Sequence, residues 1–348
     1  MHSYELTALS QLQDLPFDEV IDARSPAEYA EDHLPGALGL PVLDDAERAR
    51  VGTVYTQDSR FRARRLGAAL VARNVAAHLE GALADKPASY RPLVYCWRGG
   101  QRSGAFATIL GQIGWQAAVL AGGWRSYRRL VVRHLYETPF PAPIRLLDGN
   151  TGTAKTAVLQ RVAELGGQVL DLEGMAAHRG SIFGRPPGVV QPAQKRFESA
   201  LAQAIARLDP ARPVLVEAES ARIGALRIPP KLWVAMRAAP RLRIEAPLRE
   251  RAVWLARAYG DLTADRAALA DRIAALAPFH ARTRIADWQA LASAGRFEAL
   301  AGELMEAHYD PRYARSRPPA LREEVLQTPS LSDADLDRLA RAIHSRID

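Results

Sequence analysis

Short apolar runs alternate with longer amphipathic stretches through the first third of the chain. Val20-Ile21-Asp22 reads as a strand end, Pro92-Leu93-Val94-Tyr95 as a buried strand, and 117–120 as another. Helical spacing fills 61–79 and 103–113 between them. Strand, turn and helix in repetition predict an α/β sheet. Thr138-Pro139-Phe140-Pro141-Ala142-Pro143 then places three prolines in six residues, which no continuous helix or central strand tolerates. A domain boundary is expected there. The pattern restarts with a strand at 144–147, a Gly-rich turn and a helix from Lys155. Further strands are expected at 168–172, 214–217 and 242–245, and 247–308 is helical in pattern and rich in Arg and Ala. The segment 310–348 carries Arg312, Arg315, Arg317 and Pro318-Pro319, then a short helix capped by Ser332. The expected domains are 1–138, 139–310, and a C-terminal tail with a helix at 311–348.

Composition narrows the class. Of 348 residues, 48% are apolar and 24% charged, which excludes wholesale disorder. No apolar run approaches the ~20 residues of a membrane span, so no membrane partner is expected. Met1-His2-Ser3-Tyr4-Glu5 lacks the basic, then apolar, profile of a signal peptide, and a cytoplasmic location is expected. One cysteine, Cys96, excludes an internal disulfide and a Cys-based zinc site. The net charge of +7 suits a polyanionic partner without proving one. Lysine occurs only at Lys86, Lys155, Lys195 and Lys231, so a lysine in a Gly-rich turn carries more weight than any one of the abundant arginines.

Cys96 follows a strand in Cys96-Trp97-Arg98-Gly99-Gly100-Gln101-Arg102-Ser103, and a helix should begin near Ser103. The sulfur then sits at the positive end of a helix dipole, in a loop whose amides face inward. Arg98 and Arg102 flank it, and Gly99 and Gly100 let the loop curl. These features favour a thiolate and would hold an oxyanion. A lone cysteine is more often a small buried hydrophobe, but the glycines and arginines on this turn reverse the odds. The loop resembles the active-site loop of the rhodanese family. Asp22-Ala23-Arg24-Ser25-Pro26, Glu28-Tyr29, His33-Leu34-Pro35-Gly36-Ala37 and Leu120-Ala121-Gly122-Gly123-Trp124 are similar to that family's other motifs. The six-position step from Cys96 to Arg102 is also similar to the loop of Cys-dependent phosphatases, although no general acid can be assigned for that chemistry.

Gly149-Asn150-Thr151-Gly152-Thr153-Ala154-Lys155-Thr156 follows a strand and opens a helix. It departs from the P-loop pattern at Ala154, where glycine is required. Alanine fits if the backbone there is near helical, and is strained if φ is positive. Lys155 would reach phosphate oxygens, and Thr156 is a candidate Mg²⁺ ligand, with no metal site assigned firmly. The bland alternative is a Gly-rich turn without ligand. Glu217 and Glu219, at a strand end, would serve the metal side or form a plain surface pair. His178 and Arg179 are candidates for a second part of the site, with a satisfied surface histidine as the equal alternative.

Taken together, these stretches resemble the tRNA 2-selenouridine synthase family over about residues 15–310. The resemblance extends to Arg64-Arg65-Leu66-Gly67-Ala68-Ala69-Leu70, Leu172-Glu173-Gly174-Met175-Ala176-Ala177-His178-Arg179-Gly180-Ser181-Ile182-Phe183-Gly184 and Gln191-Pro192-Ala193-Gln194-Lys195-Arg196-Phe197-Glu198. It implies an α/β fold: an N-terminal rhodanese-like domain, then a P-loop NTPase-like α/β domain with a helical C-terminal part. It also implies a transferase that converts wobble 2-thiouridine in the tRNA anticodon loop to 2-selenouridine with selenophosphate, by way of an S-geranyl intermediate made from geranyl diphosphate. On this reading Cys96 handles selenium. Arg98, Gly99, Gly100, Arg102 and Ser103 hold the selenophosphate oxyanion, and 149–156 holds the diphosphate. No tightly bound cofactor is implied beyond these co-substrates and Mg²⁺.

Arg125, Arg128, Arg129 and Arg133, interleaved with Trp124 and Tyr127, suit phosphate contact and base stacking, with a solvated helix face as the plainer reading. The principal rival is a rhodanese-type sulfurtransferase fused to an NTP-binding domain. A regulatory oxyanion sensor and a small-molecule kinase are further rivals.

Overall fold

The computed structural model describes residues 2–179, 181, 183–184, 188–316 and 322–347. Gly180, Ile182, Arg317 and Pro318-Pro319, all read in the sequence, lie outside them. The chain forms two compact units. The first comprises Met1–Thr138 with Ala193–Arg207, and the second Pro139–Pro192 with Leu208–Asp348.

The first unit carries strands β1 (His2–Tyr4), β2 (Glu19–Asp22), β3 (Leu38–Gly39), β4 (Pro92–Tyr95) and β5 (Ala118–Leu120). They pair in the order β1-β5-β4-β2-β3, all parallel. Its helices are α1 (Pro26–Glu31), α2 (Asp45–Gln57), α3 (Arg60–Glu80), α4 (Gln101–Gln112) and α5 (Gly123–Val132). A parallel sheet covered on both faces needs continuous apolar strands, and all four residues of β4 are buried. Helix starts are locally encoded. Asp44 accepts from the Glu47 N–H at 2.7 Å, and Glu47 accepts from the Asp44 N–H at 3.0 Å, closing a capping box on α2.

The second unit carries β6 (Ile144–Gly149), β7 (Gln168–Leu170), β8 (Val214–Glu217), the short antiparallel pair β9 (Arg222–Ile223) and β10 (Leu226–Arg227), β11 (Arg241–Glu245) and β12 (Glu323–Gln327). The main sheet runs β12-β11-β6-β8-β7, all parallel, with the strand that leads into the Gly-rich turn at its centre. Helices α6 (Lys155–Glu164) and α7 (Leu172–Met175) follow β6 and β7. Helix α8 (Gln194–Ala206) belongs to the first unit. After it come α9 (Pro230–Ala238), α10 (Leu248–Ala258), α11 (Gly260–Ala264), α12 (Arg266–Ala274), α13 (Arg282–Ser293), α14 (Phe297–Leu304) and α15 (Asp310–Ser316). Helix α16 (Asp333–Ile347) closes the chain, and the Ser332 hydroxyl accepts from the Asp335 N–H at 3.4 Å at its start.

The strands expected near 20–22, 92–95, 117–120, 144–147 and 214–217 are present, as are the helices near 61–79 and 103–113. The strand expected at 168–172 stops at Leu170, because the Asp171 side chain accepts from the Gly174 N–H at 2.7 Å and starts α7. Residues 322–347 are built into the second unit. Leu326, Leu336, Leu339, Ile343 and Ile347 share one apolar cluster with Val158, Leu159 and Val162 of α6. Among the described residues, no helix is long and apolar enough to cross a membrane.

Candidate functional site

In the first unit the framework of the cysteine loop is ionic and buried. The Arg24 guanidinium, 1% exposed, donates to both carboxylate oxygens of Asp22 at 2.6–3.1 Å. The Tyr95 hydroxyl donates to Asp22 at 2.7 Å, the Trp124 indole N–H donates to Asp32 at 3.0 Å, and the Arg24 guanidinium lies over the Trp124 ring at 5.1 Å. Removing one partner of such a pair leaves an uncompensated buried charge, at about 3–5 kcal/mol.

This framework carries the turn from β4 to α4. Cys96 is buried, and its Sγ accepts a hydrogen bond from the Ser103 hydroxyl at 3.2 Å. Burial pushes the thiol up. The Ser103 hydroxyl and N–H, the Gly100 N–H and the Arg102 charge outweigh that, and the thiol lies below its ordinary range. The loop is laced to the start of α5: the Trp124 N–H donates to the Cys96 carbonyl at 2.8 Å, and the Arg125 N–H to the Trp97 carbonyl at 3.1 Å. Gly99 has φ +66°, and a Cβ there would stand 2.5 Å from the Leu120 carbonyl oxygen, so only glycine fits.

The flanking arginines differ. Arg98 is exposed. Arg102 donates to Glu28 at 2.6 and 3.2 Å, and Arg48 also reaches Glu28 at 3.2 Å. Burial raises the Glu28 carboxyl, but these arginines and the Ser25 N–H bring it below its usual range. Glu28 is therefore the anchor of Arg102, a pairing that no spacing argument supplies across 74 positions. The base-stacking expectation for α5 needs correction. Trp124 is 4% exposed and Tyr127 fully buried, so neither presents a ring face, and Arg128 is paired with Glu198 of α8. Arg125, Arg129 and Arg133 remain exposed.

In the second unit β6 runs into the loop 150–154 and then α6. Ala154 has φ +59° and ψ 28°, so the strained alternative for this position is the one the backbone adopts. Gly152 has φ +83°, and a Cβ there would meet the Arg251 carbonyl at 2.8 Å. Arg251 ties α10 to the loop, donating to the Thr151 carbonyl at 3.1 Å and to Asp310 at 2.7 and 3.0 Å.

Lys155 Nζ donates to the Gly149 carbonyl at 2.9 Å. Burial pulls its ammonium down, but nearby Tyr313, Glu173, Glu219 and Glu217 prevail and hold it above its ordinary range. The Thr156 hydroxyl donates to Glu217 at 2.8 Å and approaches Glu173 at 3.4 Å. Burial pushes the Glu217 carboxyl up to about 8, aided by Glu173 and Asp171. Glu173, hydrogen-bonded to Glu219, is likewise pushed up to about 8 by burial and by the Glu219 charge, and Glu219 is raised by burial. Glu217 is fully buried, with its Oε2 lacking a hydrogen-bond partner, and Glu219 is half-buried, so the two do not form a plain surface pair. No spacing in the sequence points to Glu173, on α7, and only folding brings it to Thr156.

A cavity of ≈ 440 Å³ opens over this loop, lined by residues 151–157 together with Glu173, His178, Arg179 and Tyr313. Arg179 donates to Asp261 at 3.0 Å and lies over the Tyr259 ring at 4.7 Å. Among the described residues, no group of three or more His, Cys, Asp or Glu side chains is arranged to hold a metal alone.

A sulfur loop of rhodanese architecture and a strand–phosphate-loop–helix unit thus stand in one chain. The family model for the rhodanese-like domain matches residues 5–130, and that for the tRNA 2-selenouridine synthase AAA domain matches 142–286. A tRNA 2-selenouridine synthase of Chromohalobacter salexigens is 39% identical over 247 residues, 70% of this chain and 65% of that one. One of Alcanivorax borkumensis is 38% identical over 69% of this chain and 65% of its own length. One of Aeromonas salmonicida is 36% identical over 260 residues, 73% of this chain and 69% of its own length. The chain belongs to the tRNA 2-selenouridine synthase family. The matched stretch spans a little under two thirds of the first two relatives.

Proposed function

We propose that this protein is a tRNA-modifying transferase that replaces the sulfur of wobble 2-thiouridine by selenium, with selenophosphate and geranyl diphosphate as co-substrates. The observation that carries the reading is the presence, in a chain of this family, of an activated thiol loop and a separate phosphate loop with a lysine. In the first step the thiocarbonyl sulfur attacks C1 of geranyl diphosphate. A C–S bond forms, the C–O bond to diphosphate breaks, and the uracil N3 proton is released. Lys155 and the loop amides neutralise the leaving diphosphate. Mg²⁺, when bound with the diphosphate, would sit on Thr156 Oγ1 with Glu217 behind it and would share that neutralisation; an all-oxygen donor set and the unpartnered Glu217 Oε2 suit it. In the second step the selenium of selenophosphate attacks C2 and the C2–S bond breaks, the S-geranyl group leaving as a thiolate; water then cleaves the Se–P bond, which releases phosphate and leaves 2-selenouridine. Cys96 handles the selenium, Arg98 and the Gly99–Gly100 amides hold the selenophosphate, and the Ser103 hydroxyl, which donates to Cys96 Sγ, supports the thiolate. Arg102 acts through its charge while held by Glu28.

Nucleoside mass spectrometry on thiolated tRNA tests the reading. Wild type should yield S-geranyl-2-thiouridine with geranyl diphosphate alone, and 2-selenouridine once selenophosphate is added. Cys96→Ser should stop at the geranyl adduct, and Lys155→Ala should reduce that adduct by about 100-fold or more. No new nucleoside in wild type would overturn the reading in favour of a plain sulfurtransferase, which would turn over thiosulfate without tRNA.

A further inference from the structure

A second, smaller pocket of ≈ 50 Å³ adjoins the phosphate-loop cavity, and the two have Thr151, Ser181, Leu255 and Tyr259 in common. Three of its polar side chains stand at this shared mouth, where the Tyr259 hydroxyl is bonded to Ser181 and Thr151 to Tyr313, and Thr263 and Tyr309 also line it. Beyond the mouth the walls are mostly hydrocarbon, from Leu262 of α11, Leu269 of α12, and Phe297, Leu300 and Leu304 of α14. Leu269 and Leu300 are 3% and 4% exposed and belong to the apolar cluster of these helices.

That polarity gradient discriminates among phosphate ligands. A nucleobase placed here would leave its ring nitrogens and exocyclic groups without hydrogen-bond partners. Inorganic diphosphate would not enter. A hydrocarbon would gain about fourfold in affinity for each methylene removed from water. The free volume is a few times the ~10–15 Å³ that admits one water, so it suits the end of a short branched chain and not a long one.

We propose that this pocket seats the hydrocarbon end of a diphosphate monoester whose phosphates lie on Lys155 and Thr156, and that Leu269 and Leu300 at its floor set the length of chain accepted. The assignment rests on the prenyl-diphosphate reading of the phosphate loop given above, and it adds the residues that select the ligand.

Equilibrium titration of the full-length protein in Mg²⁺ with inorganic pyrophosphate, geranyl diphosphate and farnesyl diphosphate tests it. Wild type should bind geranyl diphosphate at least ~10-fold more tightly than pyrophosphate. Leu300→Trp should abolish that advantage while pyrophosphate affinity stays within about threefold. Leu300→Ala should raise farnesyl relative to geranyl affinity by about 10-fold. Should Leu300→Trp lose pyrophosphate binding through misfolding, Leu300→Ala decides. Geranyl diphosphate no tighter than pyrophosphate in wild type, or an unchanged farnesyl-to-geranyl ratio in Leu300→Ala, overturns the assignment. A wild type that prefers geranyl diphosphate yet transfers no geranyl group to thiolated tRNA leaves the pocket standing and sinks the proposed function.

Discussion

Two residues show how local geometry sets chemistry in this chain. The Cys96 sulfur is buried, which alone would hold it as a thiol, and the Ser103 hydroxyl at 3.2 Å is the leading influence in the other direction. Ser103→Ala removes a donor to the thiolate, so the Cys96 pKa must rise. The rate of alkylation by iodoacetamide, followed against pH, should therefore show its midpoint shifted upward in the variant. An unshifted midpoint would move the credit to the loop amides. Ala154 is the second case, a non-glycine residue at φ +59° where the left-handed region costs an L-residue about 1–2 kcal/mol. Glycine relieves that strain but loses about 0.5–1 kcal/mol through a freer unfolded chain. Ala154→Gly should therefore raise stability, by up to about 1.5 kcal/mol in denaturant titrations, with diphosphate binding retained.

At the scale of elements, the readable parts are those whose signal is local. β4 and β8 announce themselves as near-continuous apolar runs buried on both faces, broken only by Tyr95 and Glu217 at their ends. The turn after β4 is legible because Gly99, Gly100 and the following helix are adjacent in sequence. β12 is not legible: Glu323-Glu324-Val325-Leu326-Gln327 buries only Leu326, and its strand character comes from pairing with β11. The role of Glu28 is equally hidden, since its partner Arg102 lies 74 positions away. Helix α16 shows an apolar face in its sequence, but what that face covers appears only in the fold. Leu336 and Ile343 are fully buried in the cluster that includes α6, the helix that begins with Lys155. Leu336→Ala should cost about 2–5 kcal/mol and should lower diphosphate binding at temperatures where wild type still binds. A cost below about 1 kcal/mol would show that α16 is dispensable to the phosphate loop.

At the scale of the whole molecule, acid tolerance has an identifiable weak point in the helical part of the second unit. His308 is 4% exposed, its Nδ1 lies 2.9 Å from His280 Nε2, and Arg312 lies on its other side. Burial first, then the charges of Arg312 and His280, push its pKa down to about 4, against an ordinary value of 6.5. Between those values the unfolded chain binds the extra proton, so stability rises with pH across that window and is lost as pH falls through it. A melting-temperature series from pH 7.5 to 4.5 should fall less steeply in His308→Gln than in wild type. The difference should amount to on the order of 1–3 kcal/mol at the acid end. Parallel slopes in the two proteins would exclude His308 as the source.

The placement of α8 and β12 also fixes an order of events during synthesis. The first compact unit includes residues 193–207, so it remains incomplete when the ribosome has delivered only its first 138 residues. The sheet beneath the phosphate loop lacks its outer strand until residue 327 has emerged, and α16 reaches α6 from some 170 positions downstream. Contacts of that separation form slowly and leave apolar faces uncovered meanwhile. Premature termination near the C-terminus should therefore yield an aggregation-prone chain whose cysteine loop folds and whose phosphate loop does not.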